Sequence, residues 1–178
     1  MSMEESALGG AVGPMEDDDG STENQYLTFC VAGQKFGVAV ANVVQIVKMQ
    51  PLTPVPGYPD YAKGIIEVRE QAVPVLDLRL RFHKQAREYD TRTCIVVTKI
   101  DEAPFGLVAD SVDSVVCIDP DQIAPAPKPL AGQEENAFLI GVARLEKELI
   151  LMMDTEKVIS LDTAKIILKK IPKQKKKA

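Results

Sequence analysis

Residues 61–79 read Tyr61-Ala-Lys-Gly-Ile-Ile-Glu-Val-Arg-Glu-Gln-Ala-Val-Pro-Val-Leu-Asp-Leu-Arg79. Gly64 to Arg69 and Ala72 to Leu78 are two apolar, β-branched runs. With Glu70-Gln71 between them they predict a hairpin. Pro74 has no N–H to give a ladder, which predicts an edge or bulge position. Glu67 and Arg69, two apart, are expected on one face of one arm, and Asp77 and Arg79 on one face of the other.

The same reading extends outward. Tyr26 to Ala32 and Phe36 to Val40 flank Gly33-Gln-Lys as a first hairpin. Val40, Val43, Val44 and Val47 have helical spacing but are β-branched, so this stretch predicts one or two helical turns running into a strand. Gln50 to Pro59 holds four prolines and predicts an extended loop. Thr93 to Ile100 is a buried-strand pattern, and Phe105 to Asp110 returns after the turn at Asp101. Ser114 to Ile118 is a further strand, and Pro120 to Pro129 a loop. Ala137 to Arg144 and Leu149 to Asp154 make a last hairpin. Asp154 and Asp162 are candidate caps for short helices over 155–160 and 163–170. Nine or ten short strands with few helices fit small β-barrels or a sandwich. The polar stretch His83–Thr91 divides the strands into two groups, as two small barrels would require.

Apolar residues make up 46% of the 178 and charged residues 26%, an ordinary globular balance. The net charge of −5 conceals an asymmetry. Residues 1–24 carry Glu4, Glu5, Glu16, Asp17, Asp18, Asp19 and Glu23 without one Lys or Arg, and six lysines crowd 169–178. The acidic segment 1–24 is too poor in large apolar groups to form a core and is expected to be disordered. The middle of the chain lacks the positive excess that phosphate backbones require, so nucleic acid is not an expected partner of the core. Cys30, Cys94 and Cys117 sit in apolar runs without C-x-x-C spacing and read as buried free thiols of a reducing compartment. No apolar stretch approaches the ~20 residues of a membrane span, and the acidic start is unlike a signal peptide. A cytoplasmic protein is expected, touching membranes only indirectly.

Catalysis finds no constellation. His83 is the single histidine and lies in a polar loop. The glycines are scattered, with no phosphate-binding run, and no ligand set has metal spacing. Catalytic residues, metals and cofactors are therefore not expected. Two competing readings are a small-barrel module binding nucleic acid or another anion through the lysine-rich tail, and an enzyme using His83 or clustered acids.

Four segments together resemble the CheW family of chemotaxis coupling proteins. They are Tyr26-Leu-Thr-Phe with Phe36-Gly-Val and Val43-Val-Gln-Ile; residues 61–79; Phe105-Gly-Leu-Val-Ala-Asp-Ser-Val with Ile118-Asp-Pro-Asp-Gln-Ile-Ala-Pro-Ala-Pro127; and Leu139-Ile-Gly-Val-Ala with Ile150-Leu-Met-Met-Asp. The resemblance implies a mainly β fold of two intertwined five-stranded SH3-like barrels over 25–160, followed by a C-terminal helix and basic tail over 161–178. It implies a non-enzymatic adaptor that couples methyl-accepting chemoreceptors to a CheA-type histidine kinase. Val43, Ile46, Cys94, Gly106, Val112 and Val115 match receptor-binding positions. Gln45, Lys63, Gly64 and Arg69 match groove-supporting positions, and Ala124, Lys128 and Pro129 match kinase-binding ones. Gln45 stands where the family usually has an acid that pairs with the arginine matched by Arg69. Here the pair would be a weaker hydrogen bond, or Arg69 would turn to Glu67 or Glu70.

Overall fold

The computed structural model describes residues 23–126 and 137–171. The acidic segment through residue 22, Lys128, Pro129 and the last lysines lie outside the described residues.

Two antiparallel hairpins joined by one parallel pair make the heart of each of two sheets. In the five-stranded sheet the hairpins are β4 (Ala62–Val68) with β5 (Gln71–Asp77), and β6 (Cys94–Ile100) with β7 (Ala103–Ala109). β5 and β7 run parallel, and β3 (Val43–Lys48) pairs with β6 at the edge. In the six-stranded sheet the hairpins are β1 (Gln25–Val31) with β2 (Gln34–Ala39), and β10 (Leu139–Leu145) with β11 (Glu148–Met153). β2 and β11 run parallel; β8 (Ser111–Cys117) borders β1 and β9 (Ile123–Pro125) borders β10.

The mainly β architecture agrees with the sequence, but the division of strands does not. His83–Thr91 joins β5 to β6 within one sheet. The described chain instead changes sheets at two other places. The 3-10 turn Val40–Asn42 carries it from β2 to β3, and Asp110 alone carries it from β7 to β8.

Three cores follow from strand alternation. Leu27, Phe29, Val31, Phe36 and Val38 of one sheet meet Leu76, Val96, Phe105, Leu107 and Ala109 of the other in a shared core. The far face of the five-stranded sheet encloses Ile66, Val73, Val75, Ile95, Val97 and Val108. The far face of the six-stranded sheet encloses Ile118, Ala143, Ile150 and Met152. Each sheet thus wraps its own small core and lends its other face to the common one, which makes two small barrels rather than one sandwich.

Helices only fasten this frame. α1 (Leu78–Arg81) was not expected; Asp77, which ends β5, accepts the Arg79 and Leu80 N–H groups and starts it. α2 (Leu161–Lys169) is capped by Ser160, one turn's edge earlier than the expected Asp162, and buries Ala164 and Ile167 in the shared core. The Asp154 cap is as expected, but it begins only the 3-10 turn Thr155–Lys157. The expected loop after Pro120 also contains a 3-10 turn and β9.

Pro74 lies in β5, an interior strand. It avoids a lost ladder bond because the β5–β7 pairing begins only at Val75. The thiols also differ from expectation: Cys117 is exposed, and Cys30 and Cys94 are half-buried.

Candidate functional site

The two crossings create the most distinctive surface. β3 and β8 each start just past a crossing, and each is the edge of its sheet. Asp110 is held in place from three directions. Its N–H donates to the Cys30 carbonyl (2.9 Å), its Oδ2 accepts the Ala32 N–H (2.8 Å), and Arg79 grips both carboxylate oxygens at 3.0 and 2.8 Å. Burial alone would raise this carboxyl, but the Arg79 fork, the Ala32 N–H and the charges of Arg79 and Arg87 outweigh it and hold it below the usual carboxylate range. The clamp fixes the direction in which β8 leaves the five-stranded sheet.

Register then decides which side chains of the edge strands face the shared core. Val43 is opposite Thr98, but a bulge brings Gln45 opposite Val97 and Ile46 opposite Val96. Val43 and Ile46 are three apart, so regular alternation would set them on opposite faces; the bulge puts both on the shared-core face. Cys94, opposite Lys48 and two residues from Val96, lies on that face as well. In β8 a second bulge sits opposite Thr28/Phe29, so Val112 meets Phe29 and Val115 meets Leu27. Both valines therefore face the shared core from the other sheet. Val43 and Val112 pack against the core itself, while Ile46 and Val115 remain 39% and 40% exposed. The apolar stripe of the shared core thus extends onto the exposed part of each edge strand. Lys48, opposite Cys94, is exposed on the same face of β3. Burial raises the Cys94 thiol, so it behaves as a neutral apolar group there.

Five of the six receptor-type positions lie on the faces of β3, β6 and β8 that look toward the shared core. Gly106 is not among them. It is buried in β7, and a side chain there would meet Ile95 and Val75 on the opposite face.

The supporting positions are more scattered. Gln45 points to the core on the other face of β3, and its Oε1 is buried without a hydrogen-bond partner. Lys63 and Gly64 are on β4, at the sheet's other edge. Gly64 has φ 147°, and a side chain would overlap the Thr53 carbonyl, so only glycine fits beneath the proline-rich loop. Arg69 is a correction. With Glu70 it forms the two-residue hairpin turn, both at positive φ (55° and 67°), so it is exposed at a tip and not held on a strand face. Among the described residues it bonds neither Gln45 nor Glu67 nor Glu70. Asp77 and Arg79 likewise do not share a solvated strand face: one caps α1 from a buried position and the other grips Asp110.

Two features escaped sequence reasoning. Val44 is 45% exposed at the β3 bulge. Lys35 pins three strands, reaching Asp113 of β8 at 2.9 Å and Glu148 of β11 at 3.0 Å. Hydrogen bonds to Asp113 and then to Glu148 raise its pKa to about 12. The mixed helical and strand signal of 40–47 was the only trace of the first bulge. Of the kinase-type positions, Ala124 is exposed on β9, and Lys128 and Pro129 lie outside the described residues.

Two small barrels around a shared core, with apolar side chains exposed on the edge strands β3 and β8, define the fold class of the chain. The family model for the CheW-like domain matches residues 25–163, and the chain belongs to that family. Chemotaxis protein CheW of Klebsiella aerogenes is 29% identical over 143 residues, covering 80% of this chain and 86% of the relative. Protein FrzA of Myxococcus xanthus is 30% identical over 122 residues, or 68% of this chain and 75% of the relative. The solved scaffolding protein TtCheW from Thermoanaerobacter tengcongensis superposes with a TM-score of 0.71 at 27% identity, over 79% of this chain and 94% of that one. The chain is therefore of the chemotaxis scaffold type.

Proposed function

We infer that this protein is a non-enzymatic cytoplasmic adaptor that holds a CheA-type histidine kinase under the control of chemoreceptors. The observation that carries this reading is the apolar cleft. Val43, Ile46 and Cys94 from one sheet and Val112 and Val115 from the other lie on faces that look toward the shared core, with Ile46 and Val115 open to solvent, and together they would line an apolar cleft. An apolar cleft between rigid strands suits an amphipathic helical receptor tip, whose apolar face would replace water there. Gly106 supports the cleft from behind through close packing. The kinase's regulatory domain docks elsewhere, at the end of the six-stranded sheet that carries Ala124, with Lys128 and Pro129 following it. Two partners on separate surfaces of one small domain can be held together without any covalent chemistry.

The test is a pull-down of the cognate kinase with and without a receptor cytoplasmic domain, together with kinase assays. Wild-type protein should form the ternary complex and make kinase activity receptor-dependent. Ile46→Asp and Val115→Asp should each weaken receptor capture at least tenfold while kinase capture persists. Receptor capture unaffected by both changes would remove the cleft from the function.

A further inference from the structure

Seven residues of β8 lie along six of β1. Ser111 is opposite Cys30 and Cys117 opposite Gln25, so one residue of β8 is surplus. Both ends of the pairing are anchored. The Arg79–Asp110 clamp holds the start, and the Ile118 N–H donates to the Asn24 carbonyl (2.9 Å) just past the end. The place of the surplus residue then decides which face each side chain takes, because side chains alternate along a strand. That residue is Asp113: Val112 is opposite Phe29, Ser114 is opposite Thr28, and Asp113 has no partner in β1. Val115 consequently lies opposite Leu27 on the core-facing side, and Val116 lies opposite Tyr26, packed with it in the far core. Were Val116 the surplus residue instead, Ser114 would take the place opposite Leu27 and Val115 would turn to the far face opposite Tyr26.

Two side chains bear on Asp113 and its neighbour. Thr28 is buried, and its hydroxyl donates to the Ser114 carbonyl (2.9 Å) and accepts the Ser114 N–H (3.3 Å). Both backbone groups of the residue after the bulge are thus bonded by a side chain of the opposite strand, and an apolar residue at 28 would leave them without those bonds. Lys35 shares the far face of β2 with Gly37, where a side chain would meet Ile150 and Met152. Reaching past β1, the Lys35 Nζ meets the Asp113 carboxylate at 2.9 Å and the Glu148 carboxylate at 3.0 Å. A lone exposed ion pair would contribute little, but Lys35 and Asp113 are only 24% and 30% exposed and the lysine is shared with a second carboxylate.

We propose that Thr28 and Lys35 are positioning residues, which fix the β8 bulge at Asp113 and thereby keep Val115 on the core-facing side. That this side meets the receptor rests on the function proposed above; the register is measured without it.

The test uses the full-length protein with Thr28→Val and Lys35→Met, alone and with Asp113 deleted. NMR reads the contact between the methyl groups of Val115 and Leu27, and capture assays read receptor and kinase binding. In the double variant the Val115–Leu27 contact should weaken severalfold. Receptor capture should fall about tenfold, the worth of one valine side chain withdrawn from an interface. Kinase capture should stay within about twofold. Deleting Asp113 removes the surplus residue, so it should restore both the contact and receptor capture to the double variant, which a simple loss of stability would not allow. Thr28→Ser with Lys35→Arg, which keeps a hydroxyl and a cation in place, should behave as wild type. Should the double variant not fold, the Asp113 deletion in the otherwise wild-type chain decides: the contact should persist and receptor capture should stay within about twofold. The proposal is overturned if the folded double variant keeps the wild-type contact, if the deletion fails to restore a lost contact, or if the deletion alone abolishes the contact in a folded protein. A contact that moves as expected while receptor capture stays unchanged supports the register assignment and removes Val115 from the receptor surface.

Discussion

The two sheets share one plan and differ in how the chain supplies it. All five strands of the first come from residues 43–109 in sequence, whereas the second gathers 25–39 and 111–153 from either side. The first closes around a core of six buried side chains and the second around four. The second compensates with charge: Lys35 ties β2 to β8 and β11, strands brought together from far apart in the chain. Turn chemistry differs too. The split sheet's hairpin turns hold Gly33 at φ 80° and two non-glycine residues at positive φ, Ala32 (52°) and Glu146 (50°), whereas Arg69-Glu70 and Asp101-Glu102 of the contiguous sheet hold four at φ between 55° and 67°. The contiguous sheet therefore carries more core and tolerates costlier turns. The split sheet relies on ion pairs to bring distant segments together.

Glycine substitutions break this comparison most severely. Gly64→Ala places a side chain against the Thr53 backbone at a φ only glycine adopts, and should cost about 3 kcal/mol or more in urea unfolding. Gly106→Ala meets Ile95 Cγ2 at 2.6 Å in the six-residue core and should cost about 2 kcal/mol. Gly37→Ala, at the matching place in the split sheet, meets only Ile150 Cγ2 at 3.1 Å and the flexible Met152 side chain. It should cost less than about 1 kcal/mol. Equal losses at Gly106 and Gly37 would show that the two cores are equally tight.

The cleft variants come next. Ile46→Asp in one sheet and Val115→Asp in the other should change stability by less than about 1 kcal/mol, because both positions are already well exposed. Unfolding curves measured beside the receptor-capture assay check that separation.

Asp110 joins the two sheets, so its titration should weaken the joint. Its folded pKa is depressed, so its contribution is present above the ordinary carboxylate pKa and is lost as pH falls through the folded value. Wild type should exceed Asp110→Asn in stability at about pH 7, and the gap should narrow as pH falls below the ordinary carboxylate range. A gap independent of pH would mean that the Arg79–Asp110 charge contributes nothing.

The smallest effect has the opposite sign. Glu70→Gly and Glu102→Gly relieve left-handed backbone and should each stabilise by about 0.5–1 kcal/mol, measured by thermal or urea unfolding. No gain would show that the wild-type side chains stabilise these tips through contacts of their own.

Much of this molecule was decided locally. Alternating β-branched runs, Gly33, the proline-rich loop before Tyr61 and the hairpin of 61–79 fix which segments are strands, because side-chain period and turn chemistry act over a few residues. The order of four family-like segments pointed to the right kind of protein for the same reason. Tertiary structure alone decided where the chain crosses between sheets. Pairing partners for β1 come from Gln34–Ala39 and from Ser111–Cys117, and no local pattern distinguishes the second from any other strand. It also decided the cleft. A single extra residue in β3 and another in β8 set Ile46 and Val115 on the core-facing sides of their sheets, and a bulge is set by what the neighbouring strand offers, not by the residues that form it.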